Sequence, residues 1–153
     1  MRKILFTAST FEHINNFHLP YIEELNKRRF EVHVLSNKQE DMIFADKIIS
    51  SNFRKKIMSI SNLKEIFKIK KLIKEEDYKE IIVHTTLAGF IVRMAVKLLK
   101  DRPKIIYMSH GYLFTDNWGL KNKFYLLCEK IVANVTDVLI VMNEEDLKIA
   151  NKY

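Results

Sequence analysis

The run "IIYMSHGYLF" (Ile105–Phe114) ends an apolar stretch in a serine, a histidine and a glycine. Imidazole titrates near neutral pH, so His110 can donate to a hydroxyl or a phosphate, or assist a proton transfer. Gly111 beside it permits a backbone conformation or a close ligand approach that a side chain would forbid. His110 is therefore the catalytic candidate, and the competing reading is a turn histidine bonded to a nearby carbonyl. The stretch "IIVHTT" ends in the same manner with His84, Thr85 and Thr86. These threonines can cap the next helix or bind a ligand hydroxyl. A third polar cluster lies in "TASTFEHINNFHLP", which carries Thr10, His13 and His18. "VLIVMN" is followed by Glu144, so Asn143 and Glu144 form a fourth.

Other residues point elsewhere. If His13 and His18 are both helical, their five-residue spacing puts them on different faces, which argues against a two-histidine metal site. The chain has no HExxH and no paired cysteines, and no metal is expected. His18 reads as structural, and His33, in the middle of a strand, as packed or edge-facing. Arg93 could reach an acidic ligand, although a solvated or salt-bridged arginine is the commoner case. Neither GxGxxG nor GxxxxGK(S/T) occurs, so phosphates are not gripped in either of those ways.

The elements that must position these residues follow from the apolar pattern. Continuous apolar runs at Lys3–Ser9 and Glu80–Thr85 read as buried strands, the first covered on both faces; Phe30–Ser36, Lys104–His110 and Asp137–Asn143 read as further strands, with a shorter, more exposed one at Asp46–Ser50. Helices are expected at about Asn15–Arg28, over Leu63–Ile73, at Leu87–Leu99 and from Leu120. Pro20 falls awkwardly inside the first of these. Asn143 is expected to cap a last helix, with Asp146 in the capping-box position. Such alternation is α/β: a Rossmann-like three-layer sandwich around a mostly parallel sheet, in the order 3-2-1-4-5-6. Ligands of such sheets bind beyond the strand C-termini at the reversal, where strands one and four are neighbours. The four polar clusters all fall on that edge.

With 153 residues, 48% hydrophobic and 29% charged, the chain is one domain and not a disordered segment. Cys128 is the single cysteine and sits among apolar residues, which excludes a disulfide framework and favours a reduced, cytoplasmic setting. The N-terminus reads as a first strand and not as a signal peptide, and no run approaches the length of a membrane span. Net charge is +7, and the segment from Arg54 to Lys74 accounts for it, with eight basic residues against Glu65. Its basic residues are not interleaved with exposed-looking aromatics, so nucleic acid is not the expected partner.

Four ordered blocks carry a family resemblance: "FTASTFEHINNFHLPYIEELNKRRFEVHVLS", "IIVHTTLAGFIVRMA", "IIYMSHGYLF" and "TDVLIVMNEEDLKIA". Together they resemble the N-terminal domain of GT-B glycosyltransferases of family 4, especially those that build capsular and exopolysaccharides. The resemblance implies one half of a GT-B fold, with residues 1–153 forming the acceptor-side domain and the donor-binding C-terminal domain absent. It implies a retaining transfer of a sugar from a nucleotide donor to a lipid-linked or saccharide acceptor. His110 would be the histidine near the donor sugar. Thr10, His13, His84, Thr85, Thr86 and Gly111 would line the acceptor side, with Asn143 and Glu144 at the cleft floor. The nucleotide sugar would be held by the missing half, so this domain is expected to bind no cofactor and to be inactive alone. A membrane-linked acceptor gives the basic segment a purpose: Arg54, Lys55, Lys56, Lys64, Lys68 and Lys71 would draw the domain to anionic headgroups at the inner face of the plasma membrane. The apolar stripe of the same helix, Leu63, Ile66, Phe67, Ile69, Leu72 and Ile73, is expected to face the sheet. The alternatives are a stand-alone α/β binding or regulatory module, and a subunit completed by a separate donor-binding chain.

Overall fold

The structure, a computed structural model, describes residues 2–38, 40–114 and 119–153. Its strands are β1 (Arg2–Thr7), β2 (Phe30–Ser36), β3 (Lys47–Ser50), β4 (Glu80–His84), β5 (Lys104–Ser109) and β6 (Val138–Val141). Its helices are α1 (Phe11–Phe17), α2 (Leu19–Lys27), α3 (Ile60–Glu76), α4 (Thr86–Lys97), α5 (Leu120–Ala133) and α6 (Glu144–Lys152). The strands form one parallel sheet in the order β3-β2-β1-β4-β5-β6, as the sequence pattern predicts. The chain crosses from one edge strand back to the centre through α3, and this reversal sets β1 beside β4.

Alternation along the strands divides the core in two. Leu5, Leu35, Ile81, Val83, Ile105 and Tyr107 point to the face packed by α3, α4 and α5. Phe6, Val32, Val34, Ile48 and Ile82 point to the face packed by α1 and α2, whose contributions include Phe11, Ile14 and Ile22. On that second face Ile106 and Met108 of β5 are only half-buried. Ile140, opposite Met108 on β6, remains 38% exposed.

The single helix expected over Asn15–Arg28 is two. His18 leaves the helical region at φ −124°, ψ 0°, ending α1 and starting α2, and Pro20 occupies the first turn of α2. A first-turn proline loses no intrahelical bond there, so breaking the helix before Pro20 removes the conflict that one continuous helix would have carried.

The stripe on α3 also differs from expectation. Asn62, Glu65, Ile66, Ile69 and Ile73 are buried, at the i, i+3, i+4, i+7 spacing of one helix face. Leu63 and Phe67 stand on the flank of that face and are 44% and 62% exposed. Asn62 explains why a polar residue is inside. Its Oδ1 accepts from the Arg54 backbone at 2.9 Å, and its Nδ2 lies within 3.1 Å of the carbonyls of Arg54, Lys56 and Ile57. One side chain thus satisfies the backbone of the basic loop that precedes the helix.

Candidate functional site

The C-terminal ends of β1, β4 and β5 bring four histidines to one point. His13 lies in the first turn of α1, His18 at the α1–α2 break, His84 on the last residue of β4 and His110 directly after β5. One side-chain nitrogen from each falls within 4.8 Å of the others. His13 Nε2 is 3.4 Å from His110 Nε2, and His84 Nδ1 is 3.2 Å from the same atom. The rings of His18 and His84 have centroids 3.9 Å apart, and the His84 ring stacks on Phe6 at 4.7 Å. His84 and His18 are buried, His13 is half-buried and His110 is exposed, so the cluster opens to solvent through His110.

Three of these residues were candidates from sequence, and His18 was not. The spacing argument assumed one helix through His13 and His18. The break at His18 turns the second ring back toward the first, leaving their centroids 5.0 Å apart. The sequence-based ground for setting aside a paired role is thereby removed. Pro20 was the available signal.

Burial holds the cluster neutral. It pushes the pKa of His84 down to about 2 and that of His18 down to about 4, and the neighbouring imidazoles add to both effects. His13 is lowered by burial and by His110, and His110 by burial. At neutral pH each ring therefore has a free lone pair on one nitrogen and a proton on the other.

Thr85 joins the loops. It adopts φ 65°, ψ 147°, an uncommon conformation for a β-branched residue. The side chain makes no cap bond to α4. Instead its Oγ1 accepts from the Ser9 backbone at 3.2 Å and donates to Ser9 Oγ at 3.0 Å. Strain of this kind persists only where the surroundings enforce it. Here it ties the end of β1 to the end of β4 and keeps Thr85 Oγ1 from covering the amides at the start of α4. Thr86 Oγ1 donates to the Gly111 carbonyl at 3.4 Å, and Gly111 itself has φ 114°, which a side chain would resist. Thr10 is spent as the α1 cap, accepting from His13 N, and Asn37 Oδ1 takes the Phe11 amide at 2.7 Å.

The remaining candidates are placed as follows. Asn143 caps α6 by accepting from Asp146 N at 2.8 Å, as its sequence position predicts, and Glu144 is exposed in the first turn. Asp146 Oδ1 accepts from Tyr112 N at 3.4 Å, joining α6 to the loop that carries His110 and Gly111. Arg93 is 2% exposed and its groups are committed inside the protein. Nε donates to Gly89 O at 2.8 Å, one terminal nitrogen meets Glu129 at 2.7 Å, and the guanidinium lies over the Tyr107 ring at 3.9 Å. His33 is buried between Tyr78 and Glu31, and the Cys128 thiol is buried with its pKa raised by desolvation. Both residues are structural.

The profile of the family described as "Glycosyl transferase 4-like" matches residues 3–143. The chain belongs to that family. Among similar proteins of the family type, "Putative glycosyltransferase EpsD" of Bacillus subtilis (strain 168) is 33% identical over 95% of this chain and 39% of its own length. "O-antigen biosynthesis glycosyltransferase WbnH" of Escherichia coli is 34% identical over 54% of this chain and 24% of its own. The chain thus spans well under half the length of these relatives. The fold matches a sucrose-phosphate synthase from Thermosynechococcus elongatus with TM-score 0.73 at 13% identity, covering all of this chain and 45% of that one. MurG of Acinetobacter baumannii matches with TM-score 0.64 at 10% identity, over 95% of this chain and 42% of the other. The family 4 resemblance seen in the sequence and the Rossmann-like sheet expected from it are both shown.

Proposed function

We propose that this chain is the acceptor-side domain of a retaining glycosyltransferase that moves a sugar from a nucleotide donor to a lipid-linked or saccharide acceptor in surface polysaccharide synthesis. The observation that carries the reading is the convergence of His13, His84, His110, Thr85 and Thr86 at the β1/β4 reversal, with His110 facing solvent. The names of the relatives support it: one is an O-antigen biosynthesis glycosyltransferase, and another acts on a diphosphoundecaprenol-linked sugar. In this reading a neutral His110, the exposed member of the cluster, offers a ring nitrogen to a sugar hydroxyl at the cleft wall. The strained Thr85 holds the two loops in register, and the start of α4 presents backbone amides where negative charge is stabilised. Charge on the departing phosphate is met mainly by the donor-binding half, so the 153-residue chain alone is inactive.

Ring-nitrogen NMR of the histidines during titration tests this assignment. A saccharide-diphosphate lipid acceptor is expected to shift His13, His84 and His110 and leave His33 in place. Shifts confined to His33, or none at all, would overturn it. In an enzyme that includes a donor-binding half, His110→Ala is expected to lower turnover by roughly 100-fold or more.

The same reading places α3 at a membrane surface. Arg54, Lys55, Lys56, Lys64, Lys68 and Lys71 are all exposed. Among them stand Met58 at 54%, Ile60 at 74% and Phe67 at 62% exposure. Exposed apolar groups ringed by cations suit an anionic interface, and among the described residues no helix is long and apolar enough to cross a membrane. Co-sedimentation with anionic vesicles is expected to fall with Phe67→Glu and with Lys64→Glu/Lys68→Glu. Binding unchanged by both would sink the membrane assignment.

A further inference from the structure

We infer that His13, His18, His84 and His110 form a binding site for a transition-metal dication of the zinc class. The inference rests on the geometry of the nitrogens and is independent of the glycosyl-transfer reading.

Hydrogen bonding alone does not account for the cluster. His110 Nε2 has two imidazole nitrogens beside it, at 3.4 Å from His13 and 3.2 Å from His84. A ring nitrogen carries either one proton or one lone pair, so it cannot bond well to both neighbours. Neither ring nitrogen of His18 has a hydrogen-bond partner, and His84 Nε2 has none, although these residues are only 3% and 1% exposed. Burying unpaired polar nitrogens costs on the order of 1–3 kcal/mol each. Two of the four imidazoles are packed at this cost, and a ligand that takes lone pairs from the cluster relieves part of it.

A metal ion does that. Nitrogens roughly 2.0–2.1 Å from one zinc ion in a tetrahedron stand about 3.3–3.4 Å apart along its edges. The two separations measured at His110 fall at that spacing, and the full set lies within 4.8 Å. The ligand atoms are His13 Nε2, His84 Nδ1, His110 Nε2 and one nitrogen of His18. All are neutral imidazoles, which suit zinc, copper or nickel better than magnesium or calcium. The four residues come from the first turn of α1, the α1–α2 break, the end of β4 and the loop after β5. An ion there would cross-link the loops that converge at the sheet reversal, with His13 and His110 on its solvent side.

The test uses the tag-free chain after treatment with a chelator. Titration with Co2+ is expected to give the intense visible bands of four-coordinate cobalt at one ion per chain, and Zn2+ is expected to bleach them. Zn2+ is also expected to raise the melting temperature. His13→Asn and His110→Asn change the least buried members, so folding survives and can be checked by far-UV circular dichroism. Each variant is expected to lose the bands and the thermal shift. Failure of the wild-type chain to bind either ion would overturn the proposal. So would binding that both folded variants retain at the same stoichiometry, since the metal would then lie elsewhere.

Discussion

Replacing Arg93 with methionine keeps most of its buried stem and removes the charge. Three hydrogen bonds go with the guanidinium, to Gly89 O, Glu129 and Thr136 Oγ1, together with its stacking over Tyr107. The Glu129 side chain, 14% exposed, is left without its cation. Breaking a fully buried pair costs about 3–5 kcal/mol, and partial access of Glu129 to water puts this case near the lower end. The expected loss is therefore about 3 kcal/mol, a large share of the ~5–15 kcal/mol that stabilises a typical domain. Replacing both members of a buried pair with apolar residues is often neutral, so Arg93→Met/Glu129→Leu is expected to recover at least half of the loss. Urea unfolding followed by circular dichroism, with linear extrapolation, measures both. A single variant within about 1 kcal/mol of wild type would show that the pair is not energetically buried. A double variant no more stable than the single would show that packing of the arginine stem, and not its charge, carried the cost.

Asn62→Ala removes the side chain that satisfies the loop before α3, and leaving those buried carbonyls unpaired is expected to cost about 2 kcal/mol by urea unfolding. The same change is expected to expose the peptide after Arg54 to trypsin, and unaltered cleavage there would contradict the role given to Asn62. Acid should weaken the fold, because His18 and His84 have folded pKa values below the ordinary histidine value of 6.5. The unfolded chain then binds more protons, so stability falls as the pH drops below about 6.5 and continues falling toward the folded values. On chelator-treated protein the loss from about pH 7.5 to about pH 5.5 is expected to be roughly 1 kcal/mol per histidine. A urea midpoint that does not move over that interval would refute it.

How much of this was readable in the sequence depended on how local the cause was. The strand order and the Asn143 cap follow from runs and spacings of a few residues, and both appear as expected. The helix break at His18 had a local sign in Pro20, but its consequence, the return of the His18 ring toward His84, needs the sheet beneath it. Thr85 could not be foreseen in its observed state, since a β-branched residue at φ 65° opposes local preference and is held by Ser9 from the loop after β1. Leu63 and Phe67 were misplaced for a different reason. Periodicity locates the centre of an apolar stripe, whereas its buried width depends on what it packs against, and here Asn62 and Glu65 take part of that width. The role of Asn62 has no sign in the helical pattern, because its side-chain partners lie five to eight positions back in the preceding loop.

The uneven cover of the sheet has a colloidal consequence. On the face packed by α1 and α2, the helices shield β1 to β3, while Ile106, Met108 and Ile140 are left partly open toward β6. β6 is also a sheet edge, and Leu139, which points the opposite way, is 42% exposed. The opposite edge, β3, begins and ends in exposed polar residues, Lys47 and Ser50. An edge strand with bare apolar side chains on both faces is a template for pairing with another strand. In concentrated solution the sheet will therefore self-associate more readily through its β6 edge than through its β3 edge. Charge placed at Ile140 or Met142 is the change that would keep it dispersed, whereas charge added along β3 would accomplish little.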